Sequence, residues 1–556
     1  MLGFLALLTF PLIYGLDAFT TKAKVVGAEE DIFTLAVVYK NQLPNSECRI
    51  KWSCAEDENN RYLFLPYSNY TDTMKWSFHK SAEVYLDNSI IRSGDTIHAA
   101  AGEHSLHVKT KNSDTEYALT ILYSSNLPSL FIQTDGESLA YIHADKTNKE
   151  SGSCTLFDEN ASVHYRSKVK TIKCRGNASF NHTDKKSYKL QLYEKANLFD
   201  MGASKNWLLV ANAFDKTMLR NMITFDMARE LKVPFTPEAK HVNLYINGEY
   251  RGLYLLSENI EIGENRVEIQ NLEEISEKLN KEMSDFPVFY ESDNKLTAVK
   301  GVEVENEPDD NTGGYLLEAE LDFRWEEEPS GFITSRMQPV VVKSPKYATH
   351  GQMNYISQFY QDFEDALFAE DGYSCRTGKY YMDYINVDSF ARRYLIEEIV
   401  KNRDTIYTSQ FFYKPSDAVS TKLYAGPVWD YDGAIAAEGI VADTYDLSDP
   451  YDLYACDFGD CNIYRGLYMH QDFRQIAIDI FMAEGSLIME NETDGKIQDM
   501  AEQIMDAVIM DAYLWNIFPD AVAPEQKKSC YMEEITKIAE FLTERNRYLK
   551  WIWENQ

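Results

Sequence analysis

Long apolar runs are missing from the chain beyond its first fifteen residues. None reaches the ~18 residues that a membrane helix needs, so no integral membrane segment is expected there. Positive charge is the second shortage. With 55 Lys and Arg against 88 Asp and Glu, the formal net charge is −33, and such a surface repels the phosphates of nucleic acid. Any nucleotide would have to be met by a local basic patch instead. Zinc-like spacing is also lacking, because the eight cysteines include no Cys-x-x-Cys pair and have no His partner close by. A structural zinc site is therefore not expected.

What is present is enough to fold throughout. At 556 residues, 44% hydrophobic and 13% aromatic, the chain predicts two or more well-filled domains. Residues 1–15 form an apolar run suited to the core of a signal peptide, although it lacks the usual Lys or Arg. We read residues 1–18 as a signal peptide and expect a secreted or cell-surface protein. An even cysteine count fits an oxidising compartment. Cys48 with Cys54, and Cys456 with Cys461, are near enough to close small loops, and Cys154 with Cys174 could staple neighbouring strands. Asn69, Asn160, Asn177, Asn181 and Asn491 stand in glycan-acceptor triplets.

From 19 to 125, short alternating segments separated by polar turns predict a small β-sandwich. Its functional reading is a module for glycan or cell-surface partners, and its bland reading is a spacer. Beyond 126 a strand runs into Arg175-Gly176-Asn177-Ala178-Ser179, a guanidinium followed by a small residue and backbone N–H groups that suit an anion. Lys185, Lys186 and Lys189, with Lys173, supply the basic patch that the overall charge withholds. A run of cations is more often just a solvated face.

Asp215 is a good N-cap for a helix over 216–231, in which Leu219, Ile223, Met227 and Leu231 form one buried stripe and which Pro234 stops. Arg220 and Asn221 in its first turns either face a cleft or pair with a neighbouring carboxylate. Asn247-Gly248 predicts a hairpin, and Glu258-Asn259 follows as a polar linker. Residues 271–311 are acidic and weakly patterned, the mark of an excursion. After a strand from Gly313, helices are expected over 355–367 and over 388–400, the second capped by Asp388. Ile535, Ile538, Leu542 and Leu549 mark the last helix.

The chemistry gathers in one stretch. Lys401-Asn402-Arg403-Asp404 follows a helix, Phe411–Tyr413 and Lys422–Tyr424 pair as strands, and the second delivers Asp430 and Asp432 ahead of Gly433. Phosphoryl transfer needs a metal to neutralise oxygens and a carboxylate to orient the attacking hydroxyl, so two acidic clusters brought together by a hairpin are candidates for both tasks. Against this, Asp-x-Asp is a common sequence, and Asp404 could do no more than cap a turn.

Taken as an ordered set, Arg175–Phe180, Lys185–Leu190, Trp207–Asn212, Asp215–Asn221, Asn247–Glu258, Lys401–Asp404 and Ala425–Asp432 resemble the CotH family of spore-coat-type protein kinases. The resemblance implies an α+β, atypical protein-kinase-like fold of two lobes, preceded here by the β-sandwich. The small lobe would span 126–260 and the mainly helical large lobe 313–556. It implies transfer of the γ-phosphoryl of ATP, with Mg2+ or Mn2+, to Ser residues of a protein substrate. Asp404 would be the catalytic base and Asp430 the metal ligand, with Asp432 assisting. Arg175, Asn177 and Ser179 would cover the phosphates. Lys189, favoured over Lys186 because it lies within the strand, would hold the α/β-phosphates, and Glu258 would border the adenine. Ser409, followed by Gln410, stands where a protein kinase has a metal-binding Asn. A reading of another class is an adhesin or cell-surface interaction scaffold that uses the kinase-like domain without catalysis, suggested by the N-terminal β-domain and the scarcity of ATP outside cells.

Overall fold

The computed structural model describes residues 23–24, 36–40, 47–55, 59–67, 69, 74–292, 298–406, 408–437, 446–457 and 462–555. The signal-peptide reading of residues 1–18 lies outside them. Strands β1 (Ala23–Lys24), β2 (Ala36–Lys40), β3 (Glu47–Lys51), β4 (Ser53–Ala55), β5 (Asn60–Leu65), β6 (Met74–Ser77), β7 (Glu83–Leu86), β8 (Ser89–Ile91), β9 (Gly102–Lys109) and β10 (Asp114–Tyr123) form two sheets. Their orders are β1-β4-β5-β10-β9-β7-β8 and β3-β2-β6. Alternation turns Val37, Ile50, Leu63, Trp76, Leu106 and Leu119 inward.

A closed barrel follows, with α1 (Ala140–Ala144), α2 (Ala178–His182) and α3 (Arg220–Glu230) between its strands. Strands β11 (Ser129–Thr134), β12 (Glu150–Phe157), β13 (Val163–Arg175), β14 (Ser187–Asn197), β15 (Ala203–Val210), β16 (Ala239–Ile246) and β17 (Glu249–Glu258) run in the order β11-β12-β13-β14-β15-β17-β16, closed by the parallel pair β11 and β16. Asn247 and Gly248, at φ +54 and +85, make the expected hairpin turn. The N-terminal sheets rest on this hairpin, where Phe64 stacks on Tyr250 at 5.1 Å and the Tyr245 hydroxyl donates to the Phe64 carbonyl at 3.2 Å.

Helix α3 begins later than the expected residue 216. Asp215 caps a turn first: its Oδ1 accepts the Thr217 N–H and its Oδ2 the Arg220 N–H, each at 2.9 Å. The stripe Leu219, Ile223, Met227 and Leu231 is buried as expected.

Segment 271–311 is more regular than its pattern suggests. It holds α4 (Leu272–Leu279), β18 (Val288–Glu291) and β19 (Ala298–Val302), after which come β20 (Tyr315–Ala319), α5 (Asp322–Glu327), β21 (Gly331–Ile333) and β22 (Pro339–Ser344). Helices α6 (His350–Leu367), α7 (Tyr381–Tyr384) and α8 (Val387–Val400) precede β23 (Gln410–Lys414) and β24 (Tyr424–Ala425). These seven strands form a second sheet, β18-β19-β21-β22-β20-β23-β24. The expected Phe411–Tyr424 hairpin is present, with Tyr413 opposite Tyr424. Asn386, not Asp388, caps α8 by accepting the Ser389 N–H at 2.9 Å; Asp388 pairs with Arg392 one turn on.

The chain ends in α9 (Ile463–Met469), α10 (Gln471–Ile480), α11 (Ser486–Asn491), α12 (Ile497–Trp515) and α13 (Pro524–Glu554), the last burying Ile535, Ile538, Leu542 and Leu549. Helix α12 crosses β17 at Gly252, whose φ is +112 and where a Cβ would stand 2.1 Å from Asp511 Oδ1. No larger residue fits there. The whole is a mixed α+β protein.

Two of the expected disulfides, Cys48–Cys54 and Cys154–Cys174, do not form, and Cys456–Cys461 includes a residue outside the described ones. Cys48, Cys54, Cys154, Cys174, Cys375, Cys456 and Cys530 are free thiols, and Cys461 lies outside the described residues. Cys48 and Cys54 belong to different sheets. Cys154 faces Ser167 across the β12–β13 pair, which leaves Cys174 on the order of 20 Å further along β13.

Candidate active site

The site begins with strand parity. Across β13 and β14, Lys173 lies opposite Lys189 and Arg175 opposite Ser187, so these cations share the outer face of the ribbon while Ile172, Cys174, Tyr188 and Leu190 turn into the barrel. The same face continues through Leu208 and Ser257, and Glu261 beyond β17 draws on Lys189 electrostatically.

Carboxylates arrive from three other places. Asp404 stands in a single 3-10 turn after α8, Asp430 and Asp432 follow β24, and Glu318 and Glu320 sit on and just after β20. Asn402 joins the first two places: its Oδ1 accepts the Asp404 N–H and its Nδ2 donates to the Asp430 carbonyl, both at 3.3 Å. Ser409 Oγ donates to Asp430 Oδ2 at 3.3 Å, and Thr408 Oγ1 donates to Glu320 Oε2 at 2.7 Å. Glu318 is held by Lys343 of β22 at 3.0 Å. Arg175 lies over the Trp429 ring at 5.3 Å and is the cation that faces Asp430, Glu318 and Asp432.

Burial is the largest influence on this group, and repulsion between its members adds to it. Burial, then Asp430, push the Asp404 carboxyl up to about 7, and Glu320 adds to the effect. Burial and Glu318 likewise push Glu320 up to about 7. Asp432 is raised well above the carboxylate range by burial and by Asp430 and Asp404, whereas Asp430 is raised by burial and eased by Arg175. Arg403 eases Asp404, and Arg324 and Lys343 ease Glu320, yet the carboxyls stay raised, a donor set that a hard divalent cation would relieve.

The tightest acidic group among the described residues lies elsewhere. Asp226, Glu230 and Glu492 bring ligand atoms within 4.8 Å of one another, but the Lys496 ammonium already pairs with all three.

The remaining candidates scatter. Asn177 accepts from Lys146 at 2.9 Å, and Gly176, at φ +85, lies so close to Ser179 Oγ that a Cβ would stand 2.2 Å from it. Lys186 does not share the Lys189 face: its ammonium binds the carbonyls of Phe180 and Thr183 and anchors the loop from beneath. Lys185 is buried against Asp511. Glu258 pairs with Arg266 and accepts the Glu238 N–H at 3.0 Å, and it faces with Trp207 away from Lys189. It borders a cavity of 420 Å³ lined also by Asn197, Met201, Phe235 and Arg266. Glu318, Glu320 and Lys343 were not singled out in sequence. Two glutamates two residues apart in an otherwise apolar strand, 6% and 4% exposed here, were the available signal.

The family model described as CotH kinase protein matches residues 172–549. The chain belongs to the CotH kinase family. No curated protein matches it. The match covers the segments that carry Arg175, Lys189, Glu318, Glu320, Asp404, Asp430 and Asp432. It starts within β13 and leaves the N-terminal sheets outside.

The raised carboxyls of this candidate site make stability depend on pH in a definite direction. The folded protein keeps protons on Asp404 and Glu320 that the unfolded chain releases near pH 4, so this contribution is fully present below about pH 4 and is lost as pH rises through about 7. A divalent cation removes the repulsion. Its stabilising shift in melting temperature is therefore expected to be several degrees larger at pH 8 than at pH 5.5. A shift equal at both pH values would refute the electrostatic account.

Proposed function

We propose that this protein is an ATP-dependent and divalent-metal-dependent protein kinase that phosphorylates Ser residues. The observation that carries the proposal is the convergence of Asp404 with Asp430 and Asp432 beneath Arg175, from chain segments more than two hundred residues apart. In this reading Asp430 and Asp432, with Ser409 supporting, would hold Mg2+ or Mn2+ and the phosphate oxygens that come with it. The ion would supply charge neutralisation for the transferring group.

Asp404 would orient the substrate hydroxyl and accept its proton. A carboxyl poised near 7 suits that task at neutral pH. Arg175 and Lys189 would draw the phosphates, and the loop over 176–183, with Asn177 and Ser179, would cover them. A two-lobed arrangement, barrel above and second sheet with helices below, fits a nucleotide held between the Arg175 and Asp404 faces. Secretion or surface display rests on residues 1–15 alone, because the described cysteines form no disulfide and so add no support. No described helix is long and apolar enough to cross a membrane.

The test is transfer of labelled γ-phosphate from ATP to the protein itself and to a Ser-rich basic peptide, with Mg2+ or Mn2+, by wild type and Asp430→Asn. Metal-dependent incorporation is expected, reduced about a hundredfold or more in the variant together with the ATP-induced rise in melting temperature. Absence of both incorporation and thermal shift in the wild type would defeat the proposal.

A further inference from the structure

Asp430 sits at φ +68, a left-handed backbone that a residue with a Cβ keeps only when its surroundings hold it. Two side chains from the first turn of α3 provide that hold, and each is 3% exposed. Asn221 Oδ1 accepts the N–H of Tyr431, the residue between the two aspartates, at 2.8 Å. Arg220 Nε donates to the Ala434 carbonyl at 2.8 Å and to that of Ile435 at 3.3 Å, on the far side of Asp432.

Both side chains are fixed in turn. Asn221 Nδ2 donates to Asn212 Oδ1 at 3.0 Å, and Asn212 Nδ2 donates to the Met218 carbonyl at 3.2 Å, so the amide oxygen of Asn221 is the end left for Tyr431. Arg220 is paired with Asp215. The other end of α3 is tied through Asp226 and Glu230 to Lys496. From the opposite side the Tyr431 hydroxyl donates to Glu397 at 2.7 Å. The aspartate loop is thus clamped between α3 and α8.

We propose that Asn221 is a positioning residue for the metal-binding carboxylates. By holding the Tyr431 N–H through the Asn212–Asn221 chain, it sets where Asp430 and Asp432 point and thereby the affinity of the site for a divalent cation. The inference rests on the kinase reading of that site. Groups one step behind metal ligands change affinity about 10- to 100-fold when removed, because they decide whether the ligands are already in place before the ion arrives.

The experiment is direct titration of the full chain with Mn2+, following the free ion by its paramagnetic resonance, with and without ATP. Asn221→Ala is expected to weaken Mn2+ binding about 10- to 100-fold and to raise the metal KM more than it lowers kcat at saturating Mn2+. Asn221→Asp keeps the acceptor for Tyr431 but loses the Nδ2 donor to Asn212, and is expected to bind Mn2+ more tightly than Asn221→Ala. Asn212→Ala, which removes only the outer link, should lie between and gives the test if Asn221→Ala fails to fold. Wild-type affinity in Asn221→Ala, or an Asn221→Asp as weak as Asn221→Ala, overturns the positioning role while wild-type transfer stands. A wild type that neither binds Mn2+ nor transfers phosphate overturns the kinase reading and the inference with it.

Discussion

Replacing Asp404 with Asn is expected to lower phosphate transfer about 10²- to 10⁴-fold, the range typical for loss of a positioned base, while leaving the ATP-induced rise in melting temperature intact. Asn keeps the size of the side chain and its hydrogen-bonding reach but cannot accept the substrate proton. The aspartates proposed to hold the metal are untouched, so nucleotide and metal binding should survive, in contrast to Asp430→Asn, where both are expected to fall together.

A second effect of Asp404→Asn has the opposite sign. Asp404, Asp430 and Asp432 repel one another in a buried setting, and above about pH 7, where Asp404 is ionised, removal of its charge should raise the melting temperature of the metal-free protein. Labelled transfer and two thermal scans suffice to decide. Equal loss of the ATP shift in Asp404→Asn and Asp430→Asn would sink the division of roles, and a metal-free variant less stable than wild type would argue that Asp404 is a structural carboxylate.

Asp404 and Asp430 were legible because the signal is local: a helix, a turn, a hairpin and an Asp-x-Asp in fixed order leave few ways to place them apart. The stripe of α3 and the Asn247-Gly248 turn were legible for the same reason. Among Lys185, Lys186 and Lys189 the sequence favoured Lys189 for its place within the strand, and strand parity shows how far the three diverge. Lys189 lies inside β14 and shares the outer face with Arg175, whereas Lys185 and Lys186 precede the strand and turn elsewhere. Glu258 was placed by its position after a strand, and parity again turns it away.

Long-range pairing was the other blind spot. The closure of β11 on β16 joins residues more than a hundred positions apart, and no local pattern specifies it. An even cysteine count likewise carries no register, so it proposed a staple between strands whose pairing keeps Cys154 and Cys174 apart.

Lys185 turns one such correction into a prediction. As a phosphate ligand it would be dispensable for folding, and Lys185→Met would weaken ATP binding in a protein that melts normally. The structure places it with Asp511, both side chains at 0% exposure, at the crossing of α12 over the barrel. Its ammonium also donates to the Leu253 carbonyl at 2.7 Å, and Asp511 Oδ1 accepts the Leu253 N–H at 2.9 Å, so the pair fastens the helix to both backbone groups of one β17 residue. Removing one partner leaves the other charge buried without compensation, which costs about 3–5 kcal/mol, whereas replacing both by apolar side chains costs much less. Asp511→Leu is accordingly expected to lower the melting temperature by several degrees, and Lys185→Met with Asp511→Leu to recover most of that loss. The Leu253 N–H left without its acceptor sets the limit on recovery, at about 1–3 kcal/mol. A Lys185→Met protein of unchanged melting temperature and weakened ATP binding would return Lys185 to the phosphate site.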